Sequence, residues 1–456
     1  MGISSLGVGS SILTQDVLDQ LRAADDAGQV KPIEFSIANE EDKKDALELI
    51  DASMKNFIDS INDIKSQTLY GERQAEVTGS AVEVTASTDT DIQDFTLNVS
   101  VLATKQIEES GAFTSDDELV ANGVGSINLN IDGEDFTIDY DATTTLKDLK
   151  NLINDVAGDK VDATVVQINS GEFRLFVSSA DTGTTQDITM TDSGQLKDTR
   201  LTGQLTAIQT GVDAEFTFNG QAITRTSNNV DDLISGLDIT LKEVGTSAVS
   251  VTQNRDNIME KFESFVEKYN AAITELDKVT ASSLDSDERG IFSGESTIKS
   301  MKSTIENMVS SVGGGVGSLI DYGFDVDKNG NMTLDKDVLS TKLDDDSSNV
   351  EVFFAGGDFD NGDGTTTAVE GAFAQMATII EAYTDYDATL DQFKDSITDR
   401  ISSLEDRKDT ATERLDAKYE IMKKQFAAYD LMISKFNSAS SMFVQMANAQ
   451  IAAANS

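Results

Sequence analysis

The closing stretch of the chain, residues 387–456, constrains the fold more than any other segment. Its apolar side chains mostly recur every three or four residues, a spacing that places them on one face of a helix. From Tyr419 the repeat becomes a heptad seam at positions 419, 422, 426, 429, 433, 436, 440, 443 and 447, with Ser440 as its polar member. Neither proline nor glycine interrupts the stretch. The pattern predicts one long helix that packs against partner helices.

The end of this predicted helix has an unusual composition. Charged residues cover its other faces up to Lys435, and none follows. A helix without charges has little to hold it in water. This end either frays or docks inside an assembly, and we expect docking. The predicted subunit contacts on it are Phe426, Tyr429, Ile433, Phe436 and Phe443.

The start of the chain predicts a flexible Ser/Gly segment and then a short helix that ends near Gly28 and Pro32. A helix this short is marginal in water by itself. Leu13, Val17 and Leu21 belong to its apolar stripe. We predict that they contact other subunits, because little else in the chain is left to cover them.

Two further heptad stripes, at 47–68 and 262–279, predict helices over 45–70 and 256–280. These helices and 387–436 can cover each other's seams by bundling, so we interpret the first two stripes as ordinary core. Shorter helices are predicted at 298–312 and 369–383.

Between the helical ends, residues 77–251 are rich in Thr, Ser, Val, Asp and Gly. Alternating apolar and polar residues predict strands, and one helix is predicted at 146–156. The strands are expected at 94–102, 126–132, 173–179, 214–220 and 237–244.

The predicted fold is therefore a multi-domain α+β protein in which the terminal helices form a coiled-coil or helix bundle and β-rich domains are inserted between them. The expected domains are an N-terminal assembly segment (1–44), a helical bundle (45–76 and 253–424), a β-rich domain (77–125 and 180–252), a small α/β insertion (126–179) and a C-terminal assembly helix (425–456).

Composition excludes several function classes. The net charge of −46 repels phosphate backbones and anionic lipid, so nucleic acid and membrane surfaces are not expected partners. The 456 residues include no His and no Cys, so the commonest general base and the thiolate metal ligands are missing. We therefore expect no enzyme activity and no cofactor.

The first residues lack a basic region and a continuous apolar run, so no cleavable signal peptide is expected, although some secretion systems read uncleaved N-termini.

One segment imitates a calcium loop. Asp325, Asp327, Asn329 and Gly330 match its opening, but Lys336 stands where the loop needs a bidentate Glu. A hairpin with an Asn-Gly turn is the better interpretation. A calcium-dependent adhesin or enzyme would remain an alternative if calcium bound tightly.

Two weaker motifs are also discounted. Asp358, Asp360 and Asp363 lie in a Gly-rich stretch that fits the calcium consensus worse, and we interpret it as a solvated loop. Ser296 and Lys299 form an S-x-x-K pair, but the companion motifs of penicillin-interacting serine enzymes are missing.

Several segments carry a family resemblance that covers nearly the whole chain: LGVGSSILTQDVLDQLRAAD (6–25), SFVEKYNAAITEL (264–276), GIFSGESTIKSMKSTI (290–305), DYGFDVDKNGNMTLD (321–335), NVEVFFAG (349–356) and the closing run 404–443. They resemble the flagellar filament cap protein family, also called hook-associated protein 2. The closing run 404–443 is the most specific match, and Ser11 is a minor departure where a further Gly is common. Segment 126–179 resembles a small hook-type repeat of several flagellar proteins.

The resemblance implies a structural protein secreted through the flagellar export channel, with the export apparatus and its chaperone as partners. It would form a homo-oligomeric ring, such as a pentamer, at the extracellular filament tip, where it would promote the folding and insertion of exported flagellin. The alternative is another axial protein, flagellin or a hook-filament junction protein, since LRAADDAG (21–28) echoes a signature near the start of flagellin.

Overall fold

The chain divides into two compact units in the computed structural model, which describes residues 14–285, 288–313 and 315–454. Met1–Ser66 and Met259–Ser456 form a helical unit, and Gln67–Ile258 form a β-rich unit. The predicted α+β class is confirmed: helices from both ends of the chain share one unit, and the strands between them form the other.

The helices have the following bounds: α1 Gln15–Gln29, α2 Lys31–Lys65, α3 Gln67–Gly71, α4 Leu146–Ala157, α5 Arg255–Thr280, α6 Ser296–Ser311, α7 Lys336–Ala355, α8 Ala372–Thr384 and α9 Thr389–Ala454. The strands are β1 Arg73–Thr78, β2 Val82–Ala86, β3 Gln93–Val101, β4 Lys105–Glu109, β5 Gly125–Ile131, β6 Glu134–Tyr140, β7 Val161–Asn169, β8 Glu172–Thr182, β9 Thr189–Asp192, β10 Thr206–Gln209, β11 Ala214–Phe218, β12 Gln221–Arg225, β13 Asn229–Val230, β14 Leu237–Leu241, β15 Gly245–Gln253, β16 Phe324–Val326, β17 Met332–Leu334, β18 Gly357–Asp360 and β19 Thr366–Val369.

The first two helices meet at a proline that was expected to end a helix. Thr14 caps α1, because its Oγ1 accepts a hydrogen bond from the amide of Val17. Pro32 lies in the first turn of α2, where a missing N–H costs nothing and the fixed φ favours the helix. The first helix does end near Gly28 and Pro32, as predicted, because α1 stops at Gln29. What was not expected is that Pro32 opens the next helix, so that α2 begins well before the predicted position 45.

Aromatic side chains fill the core of the helical unit. The ring of Phe57 on α2 lies 5.5 Å from that of Phe265 and 5.7 Å from that of Tyr269, both on α5. Phe265 in turn lies 4.6 Å from Phe373 of α8. Rings at these separations and tilted angles attract each other beyond the effect of burial. The two heptad stripes interpreted as core thus cover one another, as predicted.

Two elements of the helical unit differ from the sequence expectations. Helix α7 was not predicted, because its polar middle hides the apolar positions, and Asp346 interrupts it with non-helical backbone angles. The residue expected to open the helix at 369–383, Val369, lies instead in β19, and α8 begins at Ala372.

The β-rich unit contains two hydrophobic cores. A five-stranded sheet of order β1-β15-β3-β11-β12 and a three-stranded sheet of order β13-β14-β2 share the first core. The second core lies among α4, a four-stranded sheet of order β10-β4-β8-β7 and a three-stranded sheet of order β6-β5-β9. All five predicted strands and the predicted helix are present.

The second core uses more of the chain than the expected insertion 126–179. Strand β4 pairs directly with β8, and β10 pairs with β4 on the other side. Strand β8 pairs with β7 on one edge and with β4 on the other, so strands that precede and follow the insertion in sequence join its sheet. The sequence pattern of one strand does not say which distant strand completes its ladder.

We expect Phe57→Ala to lower the free energy of unfolding of the helical unit by about 3–5 kcal/mol, because it empties a fully buried aromatic site. Phe35→Ala on the same helix is the matched control, since its ring is 74% exposed. That change should stay within about 0.5 kcal/mol. Urea denaturation followed by far-UV circular dichroism measures both; equal effects would contradict the packing described here.

Candidate assembly surface

Helix α9 is covered along its first half and uncovered along its second. Its 66 residues span roughly 100 Å at 1.5 Å per residue. Leu390, Ile397, Leu415 and Tyr419 are buried. Between 431 and 451, by contrast, no side chain is buried. The heptad seam thus passes from core to solvent along a single helix.

Charged side chains of α2 fix the covered half. The Nε of Arg400 on α9 lies 3.0 Å from the carboxylate of Glu40, which also accepts a hydrogen bond from Lys43 at 2.8 Å. Burial would raise the pKa of Glu40, but the hydrogen bonds from these two cations outweigh it and hold the pKa below its usual value. Lys394 and Glu48 form a second, more exposed pair at 3.2 Å.

Helix α1 packs against the middle of α9. Leu18 and Val30 form a small buried cluster with Leu415 and Tyr419. The half-buried side chains of Ala411, Met422 and Phe426 extend this cluster along α9. Part of the apolar stripe that was expected to contact other subunits is therefore covered by the chain itself.

Polar contacts at Asp25 hold α1 in place. Its Oδ2 accepts hydrogen bonds from the Nζ of Lys418 at 2.6 Å and from the hydroxyl of Tyr419 at 2.7 Å. These contacts lower the pKa of Asp25, the one from Lys418 most. Burial, together with the bond to Asp25, raises the pKa of Tyr419 to about 12. Arg22 and Asp416 form an ion pair beside them. We call these contacts the Asp25 clamp.

The structure brings together only part of the predicted contact set. Leu13 lies outside the described residues. Val17 is half-buried, Leu21 is exposed, and Phe426 packs against α1. The remaining four, Tyr429, Ile433, Phe436 and Phe443, all lie exposed on one face of α9, and we call them the aromatic seam.

A second apolar face of α9 was missed by the sequence reasoning. We call it the methionine seam; its members are Ile421, Ala428, Met432, Ala439, Met442 and Met446, all exposed. At 3.6 residues per turn it lies roughly 90° around the helix from the aromatic seam. Its gaps of three, four and seven residues indicate a second helical face, but the aromatic repeat beside it is the stronger pattern. Since the two faces together span about half of the helix circumference, one neighbouring helix cannot bury both.

The calcium-like segment is a hairpin, as predicted. Strands β16 and β17 pair antiparallel, and the Oδ1 of Asp327 accepts hydrogen bonds from the amides of Asn329 and Asn331 at 2.8 and 2.9 Å. The bond from Asn331 is the main reason that the pKa of Asp327 is lowered. The turn closes from Gly330 to Asp327, and Gly330 alone in it has positive φ. Asn329 and Gly330 thus both lie in the turn, but Lys328 and Asn329 occupy its centre and Gly330 closes it.

The second acidic stretch forms the hairpin β18–β19 and its connecting loop, which corrects the prediction of a plain loop. Asp360 and Asp363 accept hydrogen bonds from the amides of Gly362 and Thr365, at 2.8 and 2.9 Å. These carboxylates therefore stabilise the turn. Within the described residues, no group of three or more acidic, His or Cys side chains is arranged to hold a metal ion.

The S-x-x-K pair shows no arrangement for nucleophilic catalysis. Ser296 begins α6 and is exposed, while the Nζ of Lys299 donates to the hydroxyl of Ser282 at 3.3 Å. As to membranes, the helices in the described ranges are too polar or too short to cross one.

Two family models match the chain. One, described as the flagellar hook-associated protein 2 C-terminus, matches residues 211–438, half of the chain. The other, described as the N-terminus of the same protein, matches residues 10–106.

Individual relatives carry the same name. Flagellar hook-associated protein 2 of Campylobacter jejuni is 27% identical over 340 residues, which are 64% of this chain and 52% of that protein. The protein of the same name from Helicobacter pylori (strain ATCC 700392 / 26695) is 35% identical over 252 residues, 53% of this chain and 37% of that protein. The chain thus spans about half or less of the length of these two relatives.

A solved structure resembles the fold. The crystal structure of the D1-D2-D3 domains of the flagellar cap protein FliD from Escherichia coli aligns with a TM-score of 0.61 and 20% identity, covering 77% of this chain and 99% of that one. At this identity the likeness establishes the fold alone.

We expect the Asp25 clamp to open as the pH falls. A carboxyl whose pKa is lowered by folding stabilises the folded state above its unfolded pKa of about 3.9, and this contribution is lost as the pH falls through the lower folded value. Hydrogen exchange of the α1 amides, corrected for intrinsic rates, should therefore accelerate as the pH falls below about 3.9. At neutral pH, Asp25→Asn should accelerate it too.

Asp19→Asn is the matched control for the clamp, because the carboxylate of Asp19 accepts a hydrogen bond from Gln15 of the same helix. Equal exchange rates for the two variants would contradict the role of Asp25.

Proposed function

Because the chain belongs to the flagellar hook-associated protein 2 family, we propose that it is a structural protein that caps the distal end of a flagellar filament. In this proposal several copies form a ring that promotes the folding and insertion of exported flagellin. The observation that carries the proposal is the outer half of α9, where two apolar seams stand uncovered on a segment without charge after Lys435.

Burial energy favours sister copies as the cover for these seams. Each Phe, Leu, Ile or Met side chain contributes roughly 1.5–3 kcal/mol when it moves from water into a packed contact. Phe436 is 77% exposed and Phe443 is 68% exposed, so most of that energy is still available in the single chain. Two seams on one helix suit a ring, in which each copy has a neighbour on both sides.

The distribution of charge along the chain also supports assembly through α9. A net charge of −46 keeps unassembled copies apart in solution. The end of α9 that follows Lys435 is exempt from this repulsion, because it carries no charged residue. Apolar attraction between copies is therefore confined to this end of α9, the segment that we propose mediates assembly.

We extend the proposal to partners and place. The partners are sister copies, with a pentamer as one stoichiometry, exported flagellin, and the flagellar export apparatus with its chaperone. The protein is secreted and works at the extracellular tip of the flagellum. It takes no nucleic acid, does not insert into membrane, uses no cofactor and catalyses no reaction.

We also propose the subunit contacts and domain roles. Leu13, Val17, Leu21 and Phe426 join the aromatic seam as contact residues. Segments 1–44 and 425–456 mediate assembly. Residues 45–76 and 253–424 form the supporting bundle, 77–125 and 180–252 the β-rich domain, and 126–179, whose sheets also take in β4, β9 and β10, the inserted α/β part. The support for these roles is the exposure of the outer half of α9 and the burial of its inner half.

We expect the full-length chain to form oligomers in size-exclusion chromatography with light scattering, and the double variant Phe436→Ala, Phe443→Ala to remain largely monomeric. Removing two aromatic contacts should weaken association by about tenfold or more for each ring. Tyr386→Ala is the matched control, since Tyr386 is an exposed aromatic residue outside α9. A wild-type chain that stays monomeric at high concentration would overturn the proposal.

Filament growth separates the capping role from that of another axial protein. Purified protein added to flagellin filament seeds should bind at one end and change the further addition of flagellin there. A flagellin would instead lengthen the seeds by itself, and elongation without added flagellin would show that the capping assignment is wrong. Electron microscopy of seeds incubated with and without the protein measures the outcome.

A further inference from the structure

The methionines of this chain divide sharply by exposure. Those of the inner parts of both units are buried: Met54, Met190, Met301, Met308, Met332 and Met376. Met259 and Met422 are half-buried. Met432, Met442 and Met446 are 63%, 60% and 54% exposed, and all three belong to the methionine seam. The accessible thioethers of the described chain are thus concentrated on the surface that we assign to assembly.

The exposed methionine sulfur atoms are accessible to oxidants. Oxidants that convert Met to its sulfoxide act on accessible sulfur, and the product is a polar, chiral side chain that disrupts Met-rich contacts. The chain has no Cys, so there is no thiol to react first. It has no His and no Trp either, so few other oxidisable side chains compete. A mild oxidant that reaches the folded chain therefore meets the methionine seam first.

We propose that Met432, Met442 and Met446 form a modification site for peroxide-class oxidants, and that their sulfoxidation blocks subunit assembly. In each event the O–O bond of the peroxide breaks and one oxygen forms a bond with the thioether sulfur. The sulfur is oxidised by two electrons, and the peroxide is reduced to water or to the corresponding alcohol. This inference rests on the proposed function, because it takes the seam to be buried between copies.

The position of the seam makes the effect selective. Its side chains point away from the buried core of the helical unit, so a sulfoxide there leaves the aromatic core and the Asp25 clamp untouched. A sulfoxide buried against a neighbouring copy would instead bring a polar oxygen into a contact that the thioether fills with apolar surface, and the loss of its hydration disfavours assembly. Once copies have assembled, the same burial shields the sulfur atoms. Free subunits are therefore sensitive to peroxide, whereas assembled subunits are protected from it.

The test treats the full-length protein with dilute hydrogen peroxide before assembly and, in a second arm, after assembly. Peptide mass spectrometry locates the added oxygen, and light scattering measures the oligomer. Before assembly, Met432, Met442 and Met446 should gain oxygen well ahead of Met54, Met301 and Met376, and association should weaken by about tenfold or more. After assembly, both the oxidation of these methionines and the weakening of association should be much smaller.

The variant Met432→Leu, Met442→Leu, Met446→Leu keeps the apolar volume and removes the sulfur. It should assemble like the wild type and remain insensitive to peroxide. Methionine sulfoxide reductases with a thiol reductant should restore assembly of the oxidised wild type. If the untreated wild type assembles but its oxidised form assembles equally well, or if the leucine variant loses assembly on oxidation, the inference is wrong. If the untreated wild type fails to assemble, the proposed function itself fails.

Discussion

The burial of one continuous apolar seam, along a single helix, is the constraint on which the rest of the structure depends. On the inner half of α9 the seam meets α1, α2 and neighbouring elements of the helical unit, and ion pairs such as Arg400–Glu40 fix its position there. On the outer half the repeat continues with larger aromatic residues that nothing in the described chain buries. The same pattern thus builds the fold of one subunit and the surface on which subunits meet.

Chain topology follows from this constraint. Helices from both ends of the sequence must lie in one unit if they are to share a seam, and the strands between them fold as a separate unit with two cores of its own. The aromatic contacts of Phe57 and Phe265 join segments that are far apart in sequence. Contacts of such long range close a large loop, which the inserted unit occupies.

The sequence predicted local elements well where periodicity was strong. The stripes around Phe57 and Phe265, the strand at 94–102 and the hairpin at Asp325 needed only neighbouring residues to specify them. Pro32 marked the end of the first helix correctly, but the sequence reasoning missed that the same ring suits the first turn of the next helix. The outer limits of the insertion at 126–179 and the cover of Leu18 by α9 depended on partners distant in sequence, which periodicity cannot identify. The methionine seam was readable but lay beside a stronger signal.

The continuity of α9 has a mechanical consequence. Sharp bends in helices arise at proline, at glycine or at local bulges, and the sequence of Thr389–Ala454 contains neither proline nor glycine. The helix therefore behaves as a stiff rod whose first half is held by α1 and α2 and whose second half projects its apolar end. A rod without a hinge carries any tilt of its held half to the tip undiminished. The contacts that hold the first half, such as Arg400–Glu40 and the Asp25 clamp, therefore also set the direction in which the apolar end points.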